Sequence, residues 1–134
     1  MGDPEPESVQ ISGSVRRAIS RSVVSLLKEH LGRGPVRVKT YIHDDSVLVL
    51  MSDGHTVAEE TLSRGGEQRA VASQRVKSSE VIRERLTAVI EAEMRRKVVG
   101  FLSSSQQNPS LISYVFVLET NDLIEWDLPR QESV

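Results

Sequence analysis

The apolar positions of this chain change period along its length, and the change repeats. Val15, Ile19, Val23, Leu26 and Leu27 recur at helical spacing, with Arg16, Arg17, Arg21 and Lys28 mainly between them. This predicts an amphipathic helix that starts between Ser8 and Ser14. Lys28 and His30 suit its last turn, Gly32 suits a left-handed cap, and Pro35 forbids continuation. The period then falls to two. Val36, Val38, Thr40 and Ile42 alternate with Arg37, Lys39, Tyr41 and His43, as in a strand with one buried and one polar face. His43-Asp44-Asp45-Ser46 turns the chain, and residues 47–51 are apolar on both faces, as in an inner strand covered on both sides. Thr56-Val57-Ala58-Glu59 has capping-box spacing for a short helix, which Gly65-Gly66 ends. The first block then returns. A stripe of Val71, Ile82, Leu86, Val89, Ile90 and Met94 predicts a second long helix ending near Lys97, its start lying anywhere from Glu67 to Ser79. Strands over 98–104 and 111–118 follow, joined by a polar loop in which Asn108-Pro109 is the turn signal.

Two helix-strand-strand units predict an α+β fold: a four-stranded antiparallel sheet with both long helices on one face, in the order of a circularly permuted ferredoxin-like fold. At 134 residues the chain fits one domain, read as a body over 11–119 between a disordered acidic N-terminus (1–10) and an acidic C-terminal tail (120–134). Two helices cover only one sheet face, yet strands 47–51 and 111–118 are apolar on both. The second face is therefore expected to be buried in a homodimer. The alternative cover is the tail itself, through Leu123, Ile124, Trp126 and Leu128.

Composition narrows the function classes. Cysteine is absent, which removes disulfides, thiol nucleophiles and thiolate metal sites and is compatible with a reducing cytoplasm. The acidic, proline-bearing start does not read as a signal peptide, and no stretch approaches the roughly 20 apolar residues needed to span a bilayer, so direct membrane insertion is not expected. The net charge of −2 hides an uneven layout. Residues 1–10 carry three acids and no base, 119–134 carry five acids against Arg130, and the body between has sixteen Lys and Arg against eleven Asp and Glu. Acidic ends flank a mildly basic body.

No catalytic constellation emerges. Serines are plentiful, but there is no G-x-S-x-G elbow, and an enzyme is not expected. His43, Asp44, Asp45, Asp53 and His55 cluster near the first hairpin without metal-ligand spacing, and paired aspartates are ordinary in turns, so neither metal nor cofactor is expected. GRGP at 32–35 lacks the phosphate-loop pattern and follows a helix C-terminus, where the dipole is negative. Arg33 can still meet an anion or a partner carboxylate there, beside Arg37, Lys39 and Tyr41 on the strand that follows. Arg95, Arg96 and Lys97 fall at the equivalent junction of the second block, where they are either favourable charge at a helix end or a second binding corner. Nucleic acid is not expected: aromatic content is 4% and the strand VVGFLSS lacks stacking aromatics. Trp126, among aliphatics and acids, is a docking candidate.

The segments GRGPVRVKTYIHDDSVLVLMSD, T-x-x-E-x-x-L from Thr56 to Leu62, RRKVVGFLSS and VFVLE together resemble the MpsC-like domain family, over roughly residues 11–119. The matching positions are Gly32, Arg33, Gly34, Pro35, Tyr41, Thr56, Glu59, Leu62, Lys97, Val98, Phe101, Phe116 and Glu119. Where many members resemble G-R-K-V before the third strand, this chain has Arg95-Arg96-Lys97-Val98, which removes a glycine cap. The resemblance implies a non-enzymatic cytoplasmic accessory or regulatory protein beside a membrane complex for cation or inorganic-carbon uptake, with that complex's subunits as possible partners. It transfers no catalytic residues. The alternative is a sensor of small ligands or anions at the basic helix-strand junctions.

Overall fold

The computed structural model describes residues 6–32, 35, 37–52, 57–107 and 109–120. Eight elements follow in order: α1 (Pro6–Leu31), β1 (Arg37–His43), β2 (Ser46–Ser52), α2 (Val57–Arg64), α3 (Gln68–Val81), α4 (Arg83–Met94), β3 (Val98–Gln106) and β4 (Leu111–Leu118). The α+β class and the four-stranded antiparallel sheet are as the periodicity predicts, with strand order β1-β2-β4-β3.

Strand alternation sorts the sheet into two faces. One is packed under the helices and carries three rows across all four strands, Ile42-Val47-Phe116-Phe101, Thr40-Val49-Tyr114-Ser103 and Val38-Met51-Ile112-Ser105, with the Leu118-Val98 pair beyond them. Against it lie Ile19, Val23 and Leu27 of α1, Ile82, and Leu86 and Ile90 of α4. Thr40 is polar in this layer but satisfied, since its hydroxyl lies 2.7 Å from that of Ser20 on α1. Phe101 and Phe116 pack with ring centroids 5.1 Å apart, close enough for an aromatic pair to add to its area burial.

Two helical boundaries depart from expectation. α1 begins at Pro6, before the predicted start, and proline is suited to a first helical position because its missing N–H has no intrahelical partner there. The single long helix expected to end near Lys97 is two helices, broken at Ile82 with φ −97° and ψ 12°. The Ser78-Ser79 pair and the β-branched Val81-Ile82 pair are weak helix formers, so the break falls where propensity is lowest. Its consequence is directional: α3 lies over β3 and against α2, while α4 reaches α1.

The ends of α1 and α4 share one device. Gly32 closes α1 with φ 79°, its N–H donating to the carbonyl of Lys28 at 3.0 Å. At the end of α4 the residue in the same conformation is Arg95, at φ 55° and ψ 38°, donating to Glu91 at 2.9 Å. The missing glycine therefore does not remove the cap; an arginine adopts it, at a steric cost of roughly 1–2 kcal/mol.

Candidate functional site

The sheet face away from the helices is uncovered among the described residues. Its residues follow from register: Tyr41, Leu48, Val115 and Leu102 form one transverse row, and Lys39, Leu50, Ser113 and Ser104 the next. Arg37, Ser52, Leu111 and Gln106 form a third. Leu102 is 63% exposed and Tyr41 43%, unusual exposures for large side chains in a regular sheet. The Lys39 ammonium lies 4.9 Å from the centroid of the Tyr41 ring, a cation-π contact that orders this edge. A shallow hollow of about 620 Å³ opens between Arg37, Lys39, Leu50, Ser52 and Leu111. A smaller one of about 170 Å³ adjoins it across Leu50 and Leu111, walled by Ser104, Gln106 and Ser113.

The basic junctions do not converge. β1 starts at Arg37, opposite Ser52 and hence beside Leu111, whereas β3 starts at Val98, opposite Leu118. Arg37 is thus at one end of the sheet with Lys39 one row in, and Arg95, Arg96 and Lys97 are at the other; Tyr41, in the row of Leu48, Val115 and Leu102, lies past the middle of β1 toward that second end. Arg96 is also structurally engaged: Nε and Nη2 donate to the carbonyl of Glu119 at 3.2 and 2.9 Å, and Nη1 donates to that of Asp44 at 3.0 Å. It ties the β1–β2 turn to the end of β4. Arg95 and Lys97 are exposed. Arg33, Gly34, Asp53, His55, Thr56 and Trp126 lie outside the described residues. Among those described, no three His, Asp or Glu side chains gather as metal ligands, and His43 meets Asp44 at 3.4 Å in the open. The described helices include none long and apolar enough to cross a membrane.

A second polar region lies inside, between α3 and the end of the sheet where the helix-side rows turn polar at Ser103 and Ser105. Arg75, only 6% exposed, donates from Nε to the buried Glu59 carboxylate at 3.3 Å and from Nη1 to the Ser110 hydroxyl at 3.0 Å. Ser79, one turn on, donates to the Arg75 carbonyl at 2.9 Å and has its Oγ 2.8 Å from the Tyr114 hydroxyl. Serine has one hydroxyl hydrogen and a carbonyl only accepts, so the tyrosine donates in that second contact. Burial holds the Tyr114 hydroxyl above its ordinary pKa, and the Arg75 charge only partly offsets it. Of this region only Glu59 stands out in the sequence, as a capping-box acid and a position that matches the family; Arg75, Ser79 and Tyr114 do not. A signal for the first two was present: Arg75 and Ser79 occupy the positions that continue the stripe from Val71 to Ile82.

The geometry defines an α+β domain with one helix-covered sheet face, one face open among the described residues and a polar seam under α3. The chain belongs to the MpsC family, described as Na+-translocating membrane potential-generating system (MpsC), which it matches over residues 12–120. No curated protein and no solved structure matches it.

Proposed function

We propose that this chain is a non-enzymatic, cytoplasmic accessory or regulatory protein beside a membrane-potential-generating system associated with cation or inorganic-carbon uptake, working as a homo-oligomer. The observation that supports the reading is the sheet face left uncovered among the described residues, with apolar residues across its middle, in a chain of the MpsC family. An apolar row left open on a small domain is a surface for another protein. Deleting the gene in its own host is expected to lower accumulation of a cationic potential-sensitive dye, and the intact gene to restore it. A Leu48→Asp, Val115→Asp variant, charged at the centre of the open face, is expected not to restore it although the protein accumulates. Dye accumulation unchanged by the deletion overturns the proposal.

The larger hollow favours a second reading, a sensor of small anions, because Arg37 and Lys39 stand over an apolar floor of Leu50 and Leu111. Its signature is a melting point that rises with bicarbonate or phosphate, since a ligand of the native state stabilises it by mass action. The rise should disappear in Arg37→Ala. A melting point that neither anion moves removes this reading.

A further inference from the structure

We infer that the open sheet face pairs with a second copy of this chain about a twofold axis that runs parallel to the strands, between β2 and β4. The inference rests on the proposed use of this face and adds the geometry of its occupant.

Two in-plane axes can bring such faces together. An axis along the strands keeps each row in place and exchanges the edges, so that β1 of one copy faces β3 of the other. Tyr41 then meets the partner's Leu102, and Leu48 meets the partner's Val115. The apolar row is complementary to itself, as an isologous interface requires. Arg37 and Lys39 meet the partner's Gln106 and Ser104, whose amide and hydroxyl oxygens accept hydrogen bonds from cations. The larger hollow of each copy faces the smaller one of the other, and each hollow is shared by residues of both chains.

An axis across the strands instead places β1 on β1. Arg37 and Lys39 of the two copies then crowd one edge, where like charges repel with no acid on the face to offset them: the described strand residues of this face include no Asp or Glu. An acidic peptide would satisfy the Arg37-Lys39 edge but not the apolar row beside the neutral β3 edge. A second copy satisfies both edges at once.

The size is adequate for a weak dimer. Four strands about 4.8 Å apart, each rising about 3.3 Å per residue, give a flat footprint of about 450 Å² per copy. The two copies together cover about 900 Å² of flat sheet, below the roughly 1,200 Å² at which stable specific interfaces begin and in the range of weak, transient pairs.

The absence of cysteine makes the test clean. Tyr41→Cys and Leu102→Cys are made separately in the full chain and treated with a short bis-maleimide, alone and mixed in equal amounts. Packed sheets lie about 10 Å apart, within reach of such a reagent for facing side chains. The mixture is expected to give a covalent dimer, and each variant alone to stay monomeric on a denaturing gel. Tyr41→Cys linking to itself as well as it links to Leu102→Cys overturns the axis. No covalent dimer in any tube, with both variants folded by circular dichroism and the parent chain monomeric by light scattering at about 100 μM, overturns the pairing. Both results are independent of the dye experiment, so the dimer and the physiological role fail separately.

Discussion

Replacing Arg75 with methionine is expected to lower the stability of the fold by about 3–5 kcal/mol, measured as the change in urea-unfolding free energy. Three facts set that magnitude. The guanidinium is almost wholly buried, it lies 3.3 Å from a carboxylate that is itself buried, and it reaches 35 residues forward to the Ser110 hydroxyl. Methionine matches much of the arginine stem, so the loss is electrostatic rather than a cavity: the Glu59 charge stays in a poor dielectric without the cation beside it. The pair itself need not be a large net stabiliser. Exchanging both members of a buried ion pair for apolar residues is often neutral, so Arg75→Met with Glu59→Leu is expected to recover most of what the single change loses. A single-variant cost under about 1 kcal/mol, in the range of exposed pairs, would show that the seam is solvated. The effect also has a direction in the fold. Arg75 joins α2, α3 and the β3–β4 loop, three segments whose own apolar contacts are few beside those of α1 and α4.

That seam is also where sequence pattern conveyed least. Periodicity identifies a strand or helix by which positions are apolar, and it succeeded for β1, where Val38, Thr40 and Ile42 face the helices and Arg37, Lys39 and Tyr41 do not. It also revealed the two-sided apolar character of β2 and β4, from which the open face follows: Leu48, Leu50, Val115 and Val117 are on the side no described helix covers. An arginine on a helix, by contrast, is ordinarily a solvated side chain. Only its spacing from Val71 and Ile82 marked Arg75 as inward, and its partners lie 16 and 35 residues away in sequence. The break at Ile82 was hidden for a related reason: the stripe stays in phase across it, and a change of axis leaves no trace in which residues are apolar. Arg95-Arg96-Lys97 shows the same limit in charge. A basic triplet at a helix end reads as one feature, yet the structure uses one residue as a left-handed cap, one as a clamp on two carbonyls, and leaves the third exposed.

Phe116→Ala is expected to cost about 3–5 kcal/mol and to lower the melting temperature by about 10–20 °C, which differential scanning calorimetry measures. Phe116 is fully buried at the middle of the helix-side row, between Val47 on β2 and Phe101 on β3, with the Tyr114 ring 6.4 Å away, centroid to centroid. Its neighbours on both sides belong to hydrogen-bonded strands of a regular sheet. Collapse around the missing ring would therefore have to come from α1 or α4, and a site that cannot close up retains its cavity term. Phe116→Leu preserves most of the volume and is expected to cost under about 1.5 kcal/mol. The two variants together separate cavity from chemistry: equal losses would mean that the aromatic pairing with Phe101 matters more than the space filled. A typical domain has only about 5–15 kcal/mol to lose, so the alanine variant removes a large share of the fold's margin. Because β4 also supplies Val115 and Val117 to the opposite face, loosening this strand should weaken self-association before the chain unfolds. In the cross-linking experiment, Phe116→Ala placed in both cysteine variants should then reduce the covalent dimer at temperatures where circular dichroism still reports a folded chain. Full cross-linking up to the melting transition would mean that the two faces of β4 are energetically independent.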